Sequence, residues 1–173
     1  ANVLYNGRVA FEDNLVFTAP DGTKIGVFGL DTPETATKAH PAKIQGVTFL
    51  AGEDLYDCAQ EQVDALTAEG CEYIICLGHL GIDDESAGNR SIDLLENVDG
   101  IDVFIDGHSH TVMENKQVYD AAGKAVTLTQ TGSYLANVGK MTIAEDGAIT
   151  TELISTADVS DAAVAATAEA WIN

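Results

Sequence analysis

The chain has 173 residues, 46% of them hydrophobic, which suits one domain with a sizeable core and excludes a disordered segment. It carries 28 acidic against 8 basic side chains, a formal net charge of −20. So negative a surface repels phosphodiester backbones and anionic lipid, which argues against nucleic-acid and membrane-surface partners, though a bound divalent metal could still present a phosphorylated small molecule with the opposite field.

Taken in chain order, Val3 to Phe17 reads as an antiparallel pair or a loop and strand. Lys24 to Leu30 is a short apolar strand announced by the turn signal Pro20-Asp21-Gly22. Thr32 to Gly46 is the longest stretch without a period, and long ordered loops are often functional. Leu55, Ala59, Val63 and Leu66 recur at helical spacing and predict a helix over Glu53 to Glu69, closed by Gly70. Tyr73 to Leu77 is a continuous apolar run suited to a strand buried on both faces. Ser91 to Val98 reads as a short helix capped by Ser91 or Asn89, and Ile101 to Ile105 as a second buried strand. Val126 to Gln130, Val138 to Ala144 and Ile149 to Ile154 predict three later strands, with turns at Gly132 and Asp146-Gly147. Asp158 to Trp171 is Ala-rich and predicts a helix with Asp158 or Ser160 as N-cap. The order implies an α/β fold going over to β-rich.

No apolar run reaches the roughly 18 residues that span a bilayer. Ala1 to Arg8 has neither the basic start nor the apolar stretch of a signal peptide, and the chain begins without Met. A processed or truncated chain is the expectation. Three cysteines, Cys58, Cys71 and Cys76, do not make a disulfide framework; buried thiols are expected.

Two apolar strands each run into Gly-His: Gly78-His79, and Asp106-Gly107-His108-Ser109-His110. Ligands of open α/β sheets gather beyond the carboxyl ends of strands, and a neutral imidazole is a good ligand for divalent transition metals. In an extended segment His108 and His110 would point the same way and reach one metal or two adjacent ones. Asp106 is a candidate to orient an imidazole from behind. His40 reads as a loop-packing residue, and Asp83, Asp84 and Glu85 as a solvated face. Ser109 has no base-and-orienter arrangement to make it a nucleophile. P-loop, Rossmann and nucleophile-elbow patterns are absent.

Gly78-His79 followed by Gly107-His108-Ser109-His110 resembles the last two metal-binding motifs of the calcineurin-like metallophosphoesterases, within which the chain is similar to the 5′-nucleotidase group, relatives of UDP-sugar hydrolases and 2′,3′-cyclic-nucleotide phosphodiesterases. The segment Ile25 to Pro41 (IGVFGLDTPETATKAHP), the start Ala1-Asn2-Val3 and Gln130 to Lys140 resemble further segments of that group. The resemblance implies the C-terminal half of an αββα sandwich, a mixed sheet with flanking helices, over residues 1–156. Residues 157–173 would be a connector helix toward a C-terminal domain. It also implies two divalent metals, zinc, manganese, cobalt or similar, with His79 and His108 on one and His110 on the other. The early Asp-x-His, Gly-Asp and Gly-Asn-His-Glu motifs do not precede His79, and the family's catalytic histidine belongs with them, so no catalytic residue is expected in this chain.

The parent implied is a secreted, cell-wall or periplasmic hydrolase that uses metal-activated water to convert a nucleotide or nucleotide-sugar phosphoester to nucleoside and phosphate, this part alone being inactive. A split-enzyme subunit and a non-catalytic metal-binding or interaction module are the alternatives. An unpaired sandwich face implies self-association or pairing with the missing half.

Overall fold

The computed structural model describes residues 1–157 and 159–172. Its centre is a six-stranded mixed sheet. Strands β1 (Val3–Tyr5) and β2 (Arg8–Val9) form a small antiparallel sheet with β5 (Val47–Phe49). The main sheet is formed by β3 (Asn14–Thr18), β4 (Lys24–Asp31), β6 (Tyr73–His79), β7 (Val103–Asp106), β8 (Val112–Tyr119) and β9 (Ala125–Thr131), in the spatial order β3-β4-β6-β7-β9-β8. The inner four are parallel, and the edge strands β3 and β8 run antiparallel to their neighbours.

Parallel strands need crossovers. The segment from β4 to β6 carries the short helix α1 (Thr35–Lys38), β5 and the long helix α2 (Glu53–Ala68); α3 (Ser91–Asn97) lies between β6 and β7. Leu55, Ala59, Val63 and Leu66 of α2 are buried, as the periodicity predicts. Each large aliphatic side chain so buried contributes about 1.5–3 kcal/mol. Glu53 and Asp54 occupy the first turn of α2, where the helix dipole favours negative charge. Gly70 (φ +80°) ends it: its N–H bonds to the Thr67 carbonyl and that of Cys71 reaches back to Leu66.

Alternation then separates the two faces of the sheet. Phe28, Leu30, Ile74, Cys76, Phe104, Val126 and Leu128 join the α2 and α3 side chains in one core. Here Gly26 and Gly78 make room. A Cβ on Gly78 would sit 2.1 Å from the Phe104 ring, and one on Gly26 would sit 2.9 Å from Leu66. The opposite face is only partly covered, by the hairpin β10 (Asn137–Ile143) and β11 (Ile149–Ser155) against β8 and β9. Leu15, Phe17 and Leu77 on that face are about half exposed. The final helix α4 (Ala162–Ile172) buries no residue.

Several expectations are corrected. Strands β5 and β8 were not anticipated. Strand β8 is a polar edge with a register shift between Met113 and Lys116, and only Met113 and Val118 of it are buried. Neither Ser91 nor Asn89 caps α3: the Ser91 hydroxyl donates to the Gly81 carbonyl, and the Asn89 Oδ1 accepts from the Gly52 N–H. The α3 entry is instead held by Asp93, which accepts from the backbone N–H and guanidinium of Arg90. Asp161, rather than Ser160, caps α4 by accepting from the N–H groups of Ala163 and Val164; Asp158 lies outside the described residues. The three cysteines are free, and burial pushes the thiols of Cys58 and Cys76 up.

Candidate functional site

The parallel register of β4, β6 and β7 brings three loops to one edge. Asp31 pairs with His79, and Leu77 pairs with Ile105, so the strand ends lie level. His79 closes β6 and is exposed; His108 follows β7 by two residues, and its side chain is 15% exposed. Their rings meet edge to face with centroids 5.0 Å apart. Glycine permits the approach, because a Cβ on Gly107 would stand 3.0 Å from the His79 Nδ1.

The double-His segment is not extended. His108 (φ +73°) and His110 (φ +54°) both adopt the left-handed conformation, and the Ser109 N–H bonds to the Gly107 carbonyl. The alternation that would aim the two imidazoles alike therefore does not operate. Left-handed backbone is costly for non-glycine residues and concentrates at functional sites. His110 is exposed. Ser109 is a pin for this turn: its hydroxyl accepts from the Ile82 N–H and bonds Thr111 and the buried Gln130, whose Oε1 also accepts from the Thr111 N–H.

Asp106 is buried, and its Oδ1 accepts from the backbone N–H groups of Leu80 and Gly81. Those bonds fix the loop that follows His79. The expected contact to an imidazole is replaced by this backbone role, because the carboxylate sits at the strand end, level with the loop amides. Its Oδ2 is buried with no hydrogen-bond partner among the described residues.

The carboxylate that does meet an imidazole is Glu34, in the long loop after β4. Its Oε2 lies 3.1 Å from the His108 Nε2. Lys38 and the Ser86 hydroxyl contact the same carboxylate. Lys38, with Ser86 and His108, holds the Glu34 carboxyl down at about 2. Glu34 escaped the sequence reading because it lies 74 residues from His108; the absence of period in Thr32 to Gly46 was the one available signal. His40 stays apart from the site, its Nδ1 accepting from the Ala42 N–H. Asp83, Asp84 and Glu85 are exposed, with Asp84 paired to Arg90.

Imidazole nitrogens suit divalent zinc, manganese or cobalt. The glycine cradle under His79, the adjacent His108 ring and the carboxylate behind it fit part of such a site. Among the described residues, no group of three or more His, Cys, Asp and Glu side chains is gathered to hold a metal by itself. No helix among them is long and apolar enough to cross a membrane.

No protein-family model matches the chain. It is 34% identical over 127 residues, 73% of its length, to the trifunctional nucleotide phosphoesterase protein YfkN of Bacillus subtilis, of which it covers 8%. It is 32% identical over 118 residues, 68% of its length, to the NAD 5′-nucleotidase of Haemophilus influenzae, of which it covers 17%. Thus the chain spans less than a fifth of these curated relatives. The structure of a 5′-nucleotidase precursor from Thermus thermophilus matches 90% of this chain with a TM-score of 0.70 and 26% identity, over 32% of that protein. The sulfate thiohydrolase SoxB from the same species shares the fold over 99% of this chain, with a TM-score of 0.77 and 18% identity. By its homologues and structural neighbours, the chain is a member of the 5′-nucleotidase and calcineurin-like phosphoesterase family and matches the C-terminal part of that family's domain.

Proposed function

We propose that the chain supplies one part of the catalytic centre of a secreted 5′-nucleotidase that hydrolyses nucleotide phosphomonoesters to nucleoside and phosphate. The observation that carries this reading is the meeting of the His79 and His108 rings at the carboxyl ends of two parallel strands, with His110 in the same turn. These three imidazoles would hold two divalent metals together with ligands from elsewhere in the domain. When bound, such metals polarise the phosphoryl oxygens and lower the pKa of a coordinated water.

The chain's own residues hold and orient; none of them transfers a proton in this scheme. His79, His108 and His110 bind, Asp106 fixes the loop behind His79 through Leu80 and Gly81, and Ser109 and Gln130 pin the turn between His108 and His110. Residues 1–156 would form the catalytic-domain part, with α4 (Ala162–Ile172) as the connector that follows it. Leu15, Phe17 and Leu77 are the surface through which the sheet meets the rest of the sandwich or, in its absence, a second copy.

Phosphate release from AMP with Mn²⁺ tests the reading. The 173-residue chain alone stays at the metal-only blank. Supplied with the N-terminal part of a 5′-nucleotidase domain, it releases phosphate, and His108→Ala abolishes the release. Turnover by the chain alone would overturn the incomplete-site reading; a complemented chain that leaves AMP and other nucleotide monoesters intact would overturn the nucleotidase reading.

A further inference from the structure

The loop after β4 contributes a residue that the ligand assignment leaves without a role. Glu34 reaches the site from α1's entry, Ser86 from the loop after β6 and His108 from the loop after β7. One carboxylate thus ties the three loops that frame the candidate site. Ser86, which is buried, donates to Oε1, and Oε2 faces Lys38 and the His108 Nε2. An ionised carboxylate has only acceptor sites, so the nitrogen 3.1 Å away must carry the hydrogen.

We infer that Glu34 is a positioning residue that holds His108 in the tautomer protonated on Nε2, leaving the Nδ1 lone pair free to ligate a divalent metal. The inference rests on the reading of His108 as a metal ligand. Metal-binding histidines usually donate their second ring N–H to a carboxylate or carbonyl, which fixes tautomer and ring orientation and raises ligand basicity. The left-handed backbone at His108 leaves the ring position dependent on such a tether, since strained conformers persist only where the surroundings over-determine them. Lys38 is largely exposed and, by its position, neutralises the carboxylate without competing for Nδ1.

The test is a long-range ¹H–¹⁵N spectrum of the metal-free, labelled full chain at a pH where imidazoles are neutral, paired with Zn²⁺ calorimetry. The expected spectrum shows an observable Nε2–H proton and a bare Nδ1 at His108, whereas the ring proton of the exposed His40 is lost to exchange with water. Glu34→Ala removes that proton signal and weakens Zn²⁺ binding about 10-fold or more. Glu34→Gln keeps an acceptor and rescues most of both, and Ser86→Ala leaves the His108 signal in place. A wild-type His108 protonated on Nδ1 overturns the inference without recourse to any variant, as does a Glu34→Ala chain with signal and affinity unchanged. His108→Ala separates the two levels. If it leaves Zn²⁺ affinity unchanged, the ligand reading falls, and the inference with it. If it weakens affinity while Glu34→Ala does not, only the role of Glu34 falls.

Discussion

The two faces of the central sheet are built from the same strands and have different fates. Phe28, Ile74, Cys76 and Phe104 face α2 and α3 and are nearly or fully buried. Leu15, Phe17 and Leu77, on the other side of the alternation, face a hairpin that reaches only part of the sheet, and remain 54%, 55% and 49% exposed. One face therefore carries the stability, and the other is the one proposed above to meet the rest of the sandwich or a second copy. The candidate site lies at the edge where β4, β6 and β7 end.

The sharpest way to break this contrast is Phe104→Ala. Its ring fills the space that Gly78 leaves, so truncation should cost about 3–5 kcal/mol, read as the shift in urea unfolding. A loss below about 1 kcal/mol would mean that the closed face is not the core. Next is Asp93, which ties Arg90 and the Gly88 N–H at the entry of α3. Arg90, aided by those backbone donors, lowers the Asp93 carboxyl below its usual 3.8. The sign follows: its stabilisation is fully present above the usual carboxylate value and is lost as pH falls through the lowered one. Asp93→Asn should destabilise the chain by about 1.5 kcal/mol at neutral pH. It should also flatten the fall in unfolding free energy below about pH 4. An unchanged acid limb would show that the pair contributes nothing.

The open face predicts a smaller effect on stability and a larger one on association. Leu77→Asp should change unfolding by about 1 kcal/mol or less, yet shift sedimentation from dimer or larger species toward monomer. A wild-type monomer at high concentration would remove the self-association proposal. Smallest of all is Asp161→Ala. The lost cap should reduce helical circular dichroism from α4 while leaving the global midpoint in place, because α4 buries no residue. A moved midpoint would mean that α4 packs on the domain.

What was legible in the residues follows the same divide. The α2 stripe and the apolar run of β6 could be read because burial on the closed face imposes a period or a continuous run. Strand β8 could not: as an edge with a register shift and two buried residues, it has almost no pattern to display. At the site, the Gly-His motifs marked His79 and His108 as neighbours at two strand ends, since a glycine before an imidazole is a local signal. The conformation of His108 to His110 was misjudged, because left-handed backbone at a non-glycine residue is a product of the turn held by Ser109 and Gln130. Glu34 had no signal beyond the lack of period in the stretch around it; only the parallel pairing of distant strands brings it to His108.

The central claim is that His79, His108 and His110 are metal ligands, and Mn²⁺ titration of the chain followed by imidazole NMR signals tests it most directly. His40, away from the strand ends, is the internal reference. The account predicts that the three site imidazoles broaden first and His40 last, with the selectivity lost in His108→Ala. Equal broadening of all four histidines would contradict it.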